Sequence, residues 1–219
     1  MKTNLILSPS NNKIAGIHYT TEHTGKMAGL ASLSTDINSN PLCIARQKMG
    51  YSVCSHCFAA RMYDDNKGRY RKVNQAFKRN TEILTSRILE DNEIPFIPFA
   101  LFRFEATADL NNVTQALNYI KIARKNPQTK FALWSKNPGF AIKAFRIAGK
   151  PKNLQFVLSS LELNKPAKGA ENLPFVDKVF TVYDSKDKAN INCGANSCFM
   201  CKRCYKSSKG IEYVNELIK

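Results

Sequence analysis

Apolar residues along this chain fall into two alternating patterns. Short, nearly unbroken runs read as buried strands: FALFRFEATADL, KFALWSKN, LQFVLSS and KVFTVYDS. Between them lie stretches with helical spacing. YRKVNQAFKRNTEILTSRILEDN brings Val73, Phe77, Ile83, Leu84, Ile88 and Leu89 round at near-helical intervals, and Pro95 and Pro98 punctuate its exit. NNVTQALNYIKIARKNP reads as a helix capped by Asn111 or Asn112 and closed near Asn126 and Pro127. PGFAIKAFRIAGK reads as another, with Pro138 in its first turn. The first strand of the series falls within GKMAGLASLSTDI and leads directly towards Cys43.

The strands recur at roughly 24 to 30 residues, the size of βα units that build a parallel sheet. Their almost wholly apolar character fits burial on both faces by helices. The expected fold is therefore α/β, a parallel sheet or a partial βα barrel. Residues 1–190 form its main domain, and residues 191–219 form a cysteine-bearing segment closed by a terminal helix. Ligands in such folds bind beyond the carboxyl ends of the strands. Those ends carry Glu105, Thr107 and Asp109, then Trp134, Ser135 and Lys136, then Ser159 and Ser160, then Tyr183 and Asp184. Singly, Asp109 and Ser135 suit helix capping. As a set on one rim, Glu105, Asp109, Ser135 and Lys136 are the candidates for orienting a substrate.

The chain has 219 residues and sets 33 Lys and Arg against 17 Asp and Glu, a formal net charge of +16. Such an excess attracts phosphate backbones, acidic partners or anionic small molecules. It is dispersed over KGRYRK, KRN and KIARK and never reaches a dense polybasic block, so a solvated basic face and a nucleic-acid footprint both fit. No stretch approaches a membrane span and no signal-peptide pattern opens the chain, which points to a soluble, cytoplasmic protein.

Seven cysteines supply the candidate chemistry. In a reducing cytosol, tightly spaced thiols are metal ligands more often than disulfides, and an odd count argues against full pairing. NCGANSCFMCKRCYK places Cys193, Cys198, Cys201 and Cys204 with four, two and two intervening residues. Cys198, Cys201 and Cys204 have the compact spacing with which bacterial ferredoxins wrap a [4Fe-4S] cubane, and Cys193 supplies a fourth sulfur. Zinc is the alternative, although it favours two separated knuckles over two that share Cys201.

Upstream, LCIARQKMGYSVCSHCFAARMY holds Cys43, Cys54 and Cys57. Three sulfurs saturate neither a zinc ion nor a cubane. His56, His18 and His23 are candidates for a missing ligand; the other reading leaves one iron open to substrate or cofactor, the mark of a catalytic metal site. Two oxidised clusters on seven thiolates add roughly −3 to the net charge, so the protein stays basic.

The run from Cys43 through CSHCFAA, with FRFEATADL, FALWSKN and the terminal cysteine block, resembles the phage-encoded gene product 88 family over roughly Met27 to Tyr205. That resemblance implies phage or prophage origin, a host-cell cytoplasm and an iron–sulfur protein with no settled reaction. The layout is also similar to radical S-adenosylmethionine enzymes: a partial barrel, three cysteines beyond the first strand and an auxiliary C-terminal cluster. It departs from them in having ten residues between Cys43 and Cys54 where those enzymes have three, and in lacking a GGE-type segment, which FEATADL with Glu105 would replace.

Three functions follow from these readings: an iron–sulfur enzyme acting on a small molecule, an electron-transfer or sulfur-handling protein with a redox partner, and a zinc-stabilised basic nucleic-acid-binding protein. The chain has no GxxxxGK[ST], HExxH or GxSxG segment, and with three histidines a Ser/His/Asp hydrolase is poorly supported.

Overall fold

The computed structural model describes residues 5–7, 16–63 and 70–218. One eight-stranded sheet runs through it, its strands side by side in chain order. β1 (Leu5–Leu7), β2 (His18–Thr20) and β3 (Ala31–Leu33) pair antiparallel. Every later pair is parallel, through β4 (Leu101–Phe104), β5 (Lys130–Ser135), β6 (Leu154–Ser159), β7 (Lys178–Tyr183) and β8 (Glu212–Leu217). The protein is thus a mixed α/β fold on a mostly parallel sheet with β1 and β8 at its edges.

The connection from β3 to β4 carries α1 (Pro41–Gln47), α2 (Phe58–Met62) and α3 (Arg71–Ser86). α4 (Val113–Lys125) joins β4 to β5, and α5 (Pro138–Ala148) joins β5 to β6. Sequential parallel strands joined by crossovers of one hand send their helices to one face. Accordingly α3 packs on α4 and α4 on α5.

Local chemistry sets the boundaries. Asn112 caps α4 by accepting the Gln115 N–H at 2.9 Å, Pro138 opens α5, and Gly149 ends it at φ +74°. α3 stops at Ser86, short of the expected Asn92, because Asn118 of α4 takes over its exit. The Asn118 amide donates to the carbonyls of Leu84 and Arg87 at 2.9 and 2.8 Å, and its oxygen accepts the Leu89 N–H at 2.9 Å. Leu89 is then buried as part of an extended link, while Ile88 stays exposed.

Alternate strand residues divide between two faces. Phe102, Phe104, Phe131, Leu133, Phe156 and Leu158 meet Ala116, Tyr119, Ala123, Ala141 and Phe145 of the helices in the main core. There the Phe104 ring stacks on Tyr119 at 4.3 Å and on Phe131 at 5.0 Å. Leu101, Ala132, Val157, Phe180 and Val214 form the opposite face.

Helices were expected on that second face too. Its cover is instead Tyr205 and the cysteines Cys193, Cys198 and Cys204. The expected terminal helix is also replaced: residues Glu212–Leu217 are β8, paired in parallel with β7 so that Val214 is fully buried. The two antiparallel strands before β3 were not expected from the sequence.

Candidate functional site

The upstream cysteines are positioned by capping. Asn40, the N-cap of α1, accepts the N–H groups of Leu42 and Cys43 at 3.0 and 3.2 Å, and its amide donates to the Asp109 carbonyl at 2.8 Å. Cys43 is thereby fixed against the turn that follows β4. Ser52 caps the 3-10 turn Val53–His56 by accepting the Cys54 N–H at 3.0 Å. Val53 donates its N–H to Leu161, beyond β6, at 2.9 Å. The segment from Cys43 to Cys57 therefore runs across the carboxyl ends of the parallel strands. Cys43, Cys54 and Cys57 line a single cavity of about 60 Å³ together with Arg46, Asp109 and Lys136.

Asp109 organises the cavity wall. Its carboxylate accepts the Ser135 hydroxyl at 2.5 Å, the Lys136 N–H at 3.0 Å and Arg46 Nη1 at 2.9 Å. Arg46 also donates to the Lys136 carbonyl at 3.2 Å. Both members of the Arg46–Asp109 pair are largely shielded, their side chains 13% and 7% exposed. Such a pair holds a geometry well and is expensive to break on one side.

Glu105 takes a different position from the one expected. It sits at φ +56°, an uncommon conformation for a residue other than glycine, and turns its carboxylate away from the cavity towards α4. There it accepts from Thr35 Oγ1 at 3.1 Å, from Gln115 Nε2 at 2.6 Å and from the Tyr119 hydroxyl. Burial lifts its carboxyl to about 7, against the pull of the Tyr119 and Thr35 hydrogen bonds. Burial also pushes the Cys43 thiol well above the ordinary range, and the nearby Asp109 and Glu105 push the same way.

The remaining rim candidates stand apart. Thr107 lines the cavity, with its hydroxyl buried and unpartnered. Trp134 packs on the second face, Ser160 pairs with Thr181 at 3.0 Å, and Asp184 binds Asn164 and Lys188. Neither Ser159 nor Tyr183 borders the cavity. No histidine completes the cysteine set. His56 is exposed and outside the cavity, His18 pairs through its backbone with Asn80, and His23 Nε2 lies 2.9 Å from the Ser32 hydroxyl.

Of the C-terminal cysteines, Cys193, Cys198 and Cys204 pack on the second face of the sheet. Cys198 and Cys201 bound the single turn α6 (Cys198–Cys201), which Ser197 caps through the Met200 N–H. Lys202, at φ +58°, turns the chain into a 3-10 turn that holds Cys204 and Tyr205. Burial pushes the Cys204 thiol to about 12 and raises Cys193 and Cys198, with the neighbouring thiols adding to each. Cations approach this group from several elements: Lys178, which acts on Cys204 and is paired with Glu212, and also Lys26 and Arg103. Lys26 Nζ lies 3.4 Å from Cys193 Sγ while bonding its carbonyl and Glu216, each at 2.7 Å. The Arg103 guanidinium stacks 4.2 Å from the Trp134 ring centre and lies within electrostatic reach of Cys198 and Cys204.

All seven cysteines are free thiols. Among the described residues, no group of three or more His, Cys, Asp or Glu side chains closes into the coordination sphere of one metal ion. A larger, open cleft of about 450 Å³ beside Lys186, Asn190 and Gly194 is lined by no thiol, carboxylate or imidazole.

Three charged neighbours of the thiols were not expected from the sequence. Arg46 lies one helical turn beyond Cys43, a spacing that puts both on one face of α1. Arg103 interrupts the apolar strand LFRF, and a charge inside a buried strand is itself a signal. Lys26 had no comparable mark, because only the fold brings it to Cys193.

A family model described as Gene product 88 matches residues 5–213. The chain belongs to the gene product 88 family. That bears out the resemblance carried by the cysteine blocks, and with it assignment to a phage gene product family. No curated protein and no solved structure matches this member of the gene product 88 family. Among its described residues, no helix is long and apolar enough to cross a membrane.

Proposed function

We propose that this gene product 88 protein is an iron–sulfur protein with two [4Fe-4S] centres. Cys193, Cys198, Cys201 and Cys204 would hold a saturated cluster, and Cys43, Cys54 and Cys57 one with an iron left open to a small molecule. The observation that carries the reading is the shared cavity. Three thiols from two separate turns line it with Asp109, Arg46 and Lys136, and no histidine or fourth thiol joins them. When bound, the three-cysteine cluster would supply Lewis acidity and one-electron chemistry.

The surrounding residues have separable tasks. Asp109, clamped by Ser135, the Lys136 N–H and Arg46, fixes the wall opposite the thiols. Arg46 and Lys136 bring positive charge to the cavity, which favours an anionic or zwitterionic ligand. Glu105, held by Thr35, Gln115 and Tyr119, faces α4, and burial lifts its carboxyl to about 7.

S-adenosylmethionine, a zwitterionic sulfonium, is the probe of choice. Calorimetry on the anaerobically reconstituted protein should show saturable binding to wild type and none to Cys54→Ser. Equal binding by both would overturn the assignment of the cavity, and no binding of this probe to either would remove S-adenosylmethionine from the proposal. The net charge of +16 favours one other reading, a zinc-stabilised nucleic-acid-binding protein. Zinc in place of iron and sulfide, together with salt-dependent binding to a mixed-sequence duplex, would establish that alternative.

A further inference from the structure

The second face of the sheet holds an unexplained positive charge. Ser32, Arg103, Ala132 and Gln155 stand in one row across β3 to β6, in a face that also holds Leu101, Val157, Phe180 and Val214 and, towards β8, the buried Lys178 paired with Glu212 at 2.7 Å. Among the described residues Arg103 forms no ion pair. Its contacts are the Trp134 ring at 4.2 Å and Met27 Sδ at 3.7 Å, and its Nε is sealed from solvent without a hydrogen-bond partner. The Trp134 indole N–H and the Gln155 side-chain oxygen on the same face are sealed and unpartnered as well. An arginine cannot discharge itself by losing a proton, so an unpaired guanidinium in such a place is a standing penalty.

The groups within electrostatic reach of it are Tyr205, Cys204, Cys198 and Glu216, and Glu216 is already paired with Lys26 at 2.7 Å. Lys26 approaches the same cysteine set at 3.4 Å from Cys193 Sγ. A centre held by four thiolates carries a net charge of about −2, whether its core is Zn²⁺ or an oxidised cubane. Arg103 and a centre of that charge are therefore complementary.

We propose that Arg103 is the counter-ion of an anionic tetrathiolate centre at Cys193, Cys198, Cys201 and Cys204, with Lys26 as its second cationic partner. The inference rests on the metal-centre reading above but holds for either core. Arg103 is a positioning and charge-compensating residue. It is not a ligand.

The test compares Arg103→Met, which keeps the apolar stem, with Arg103→Lys, in the full-length chain with and without metal. Without metal, Arg103→Met should melt at or above the wild-type temperature, because an unpaired cation has been removed. With metal, the same variant should surrender the C-terminal centre to a chelator at about tenfold or more lower concentration. If the core is iron–sulfur, its midpoint potential, read by EPR-monitored titration, should move to more negative values. Arg103→Lys should stay near wild type in the loaded state.

A merely structural arginine would instead destabilise both states. That outcome, or unchanged metal retention and potential in Arg103→Met, overturns the proposal. A Cys204→Ser variant separates this from failure of the underlying reading: if it keeps the full wild-type metal content, the C-terminal centre itself does not exist.

Discussion

Replacing Asp109 by asparagine tests whether the cavity wall is held as its hydrogen bonds imply. The amide keeps the shape and can still accept the Ser135 hydroxyl. However, its NH₂ then faces the Lys136 N–H and Arg46 Nη1, two donors that now find no acceptor. Arg46 keeps its bond to the Lys136 carbonyl but loses its anion in a site where it is 13% exposed. Breaking a buried pair from one side costs about 3–5 kcal/mol, and the surviving Arg46 bond places this case near the lower end, about 3 kcal/mol. For a chain of this size each kcal/mol moves the melting temperature by about 2–4 °C, so the variant should melt about 6–12 °C below wild type. Circular dichroism of the reduced, metal-free protein measures it, with urea unfolding as a check on reversibility. Arg46→Met removes the stranded charge, so the double variant should recover at least about 1.5 kcal/mol relative to the sum of the single changes. An Asp109→Asn melt within about 2 °C of wild type, or strict additivity in the double variant, would refute the clamp.

Other consequences are equally specific. Glu105 is lifted from 4.5 to about 7 by burial, so the folded state holds its proton more tightly than the unfolded chain does. The associated stability is complete below about pH 4.5 and is lost as the pH rises through about 7. The full amount is about 3 kcal/mol, and Glu105→Gln should flatten this loss in melts taken from pH 5 to pH 8. Phe104→Ala removes a ring stacked on both Tyr119 and Phe131 and should destabilise by about 3–5 kcal/mol in urea titrations, while the exposed Phe58→Ala stays within about 0.5 kcal/mol. In metal-free protein at pH 8, iodoacetamide followed by peptide mass analysis should label the half-buried Cys54 and Cys57 well before Cys43, whose thiol is buried and held protonated.

The parallel strands and the two helices α4 and α5 were legible because each element agrees with its neighbours at every level. Apolar runs such as FVLSS, caps at Asn112 and Pro138, and Gly149 at a helix end all point to the same boundaries. The errors arose where a distant contact decides. α3 ends at Ser86 because Asn118, more than thirty positions away, takes its last carbonyls, and no local pattern around Ile88 and Leu89 reveals that. The terminal segment EYVNEL suits either periodicity, and only the open edge of β7 makes it a strand.

The site shows the same division. Cysteine spacing marked two separate groups, and the strand ends pointed to Asp109, Ser135 and Lys136 beside the upstream one. Glu105 was misplaced because its positive φ turns it towards α4, where strand alternation has no say. The C-terminal cysteines lie over a sheet face, since the chain folds back there before entering β8.

The most direct test of the two-centre account is elemental. Protein isolated anaerobically should contain about eight iron and eight acid-labile sulfide per chain, falling to about four of each in Cys54→Ser and again in Cys204→Ser. Wild-type protein with zinc and no sulfide, or cysteine variants that keep the full iron content, would contradict it.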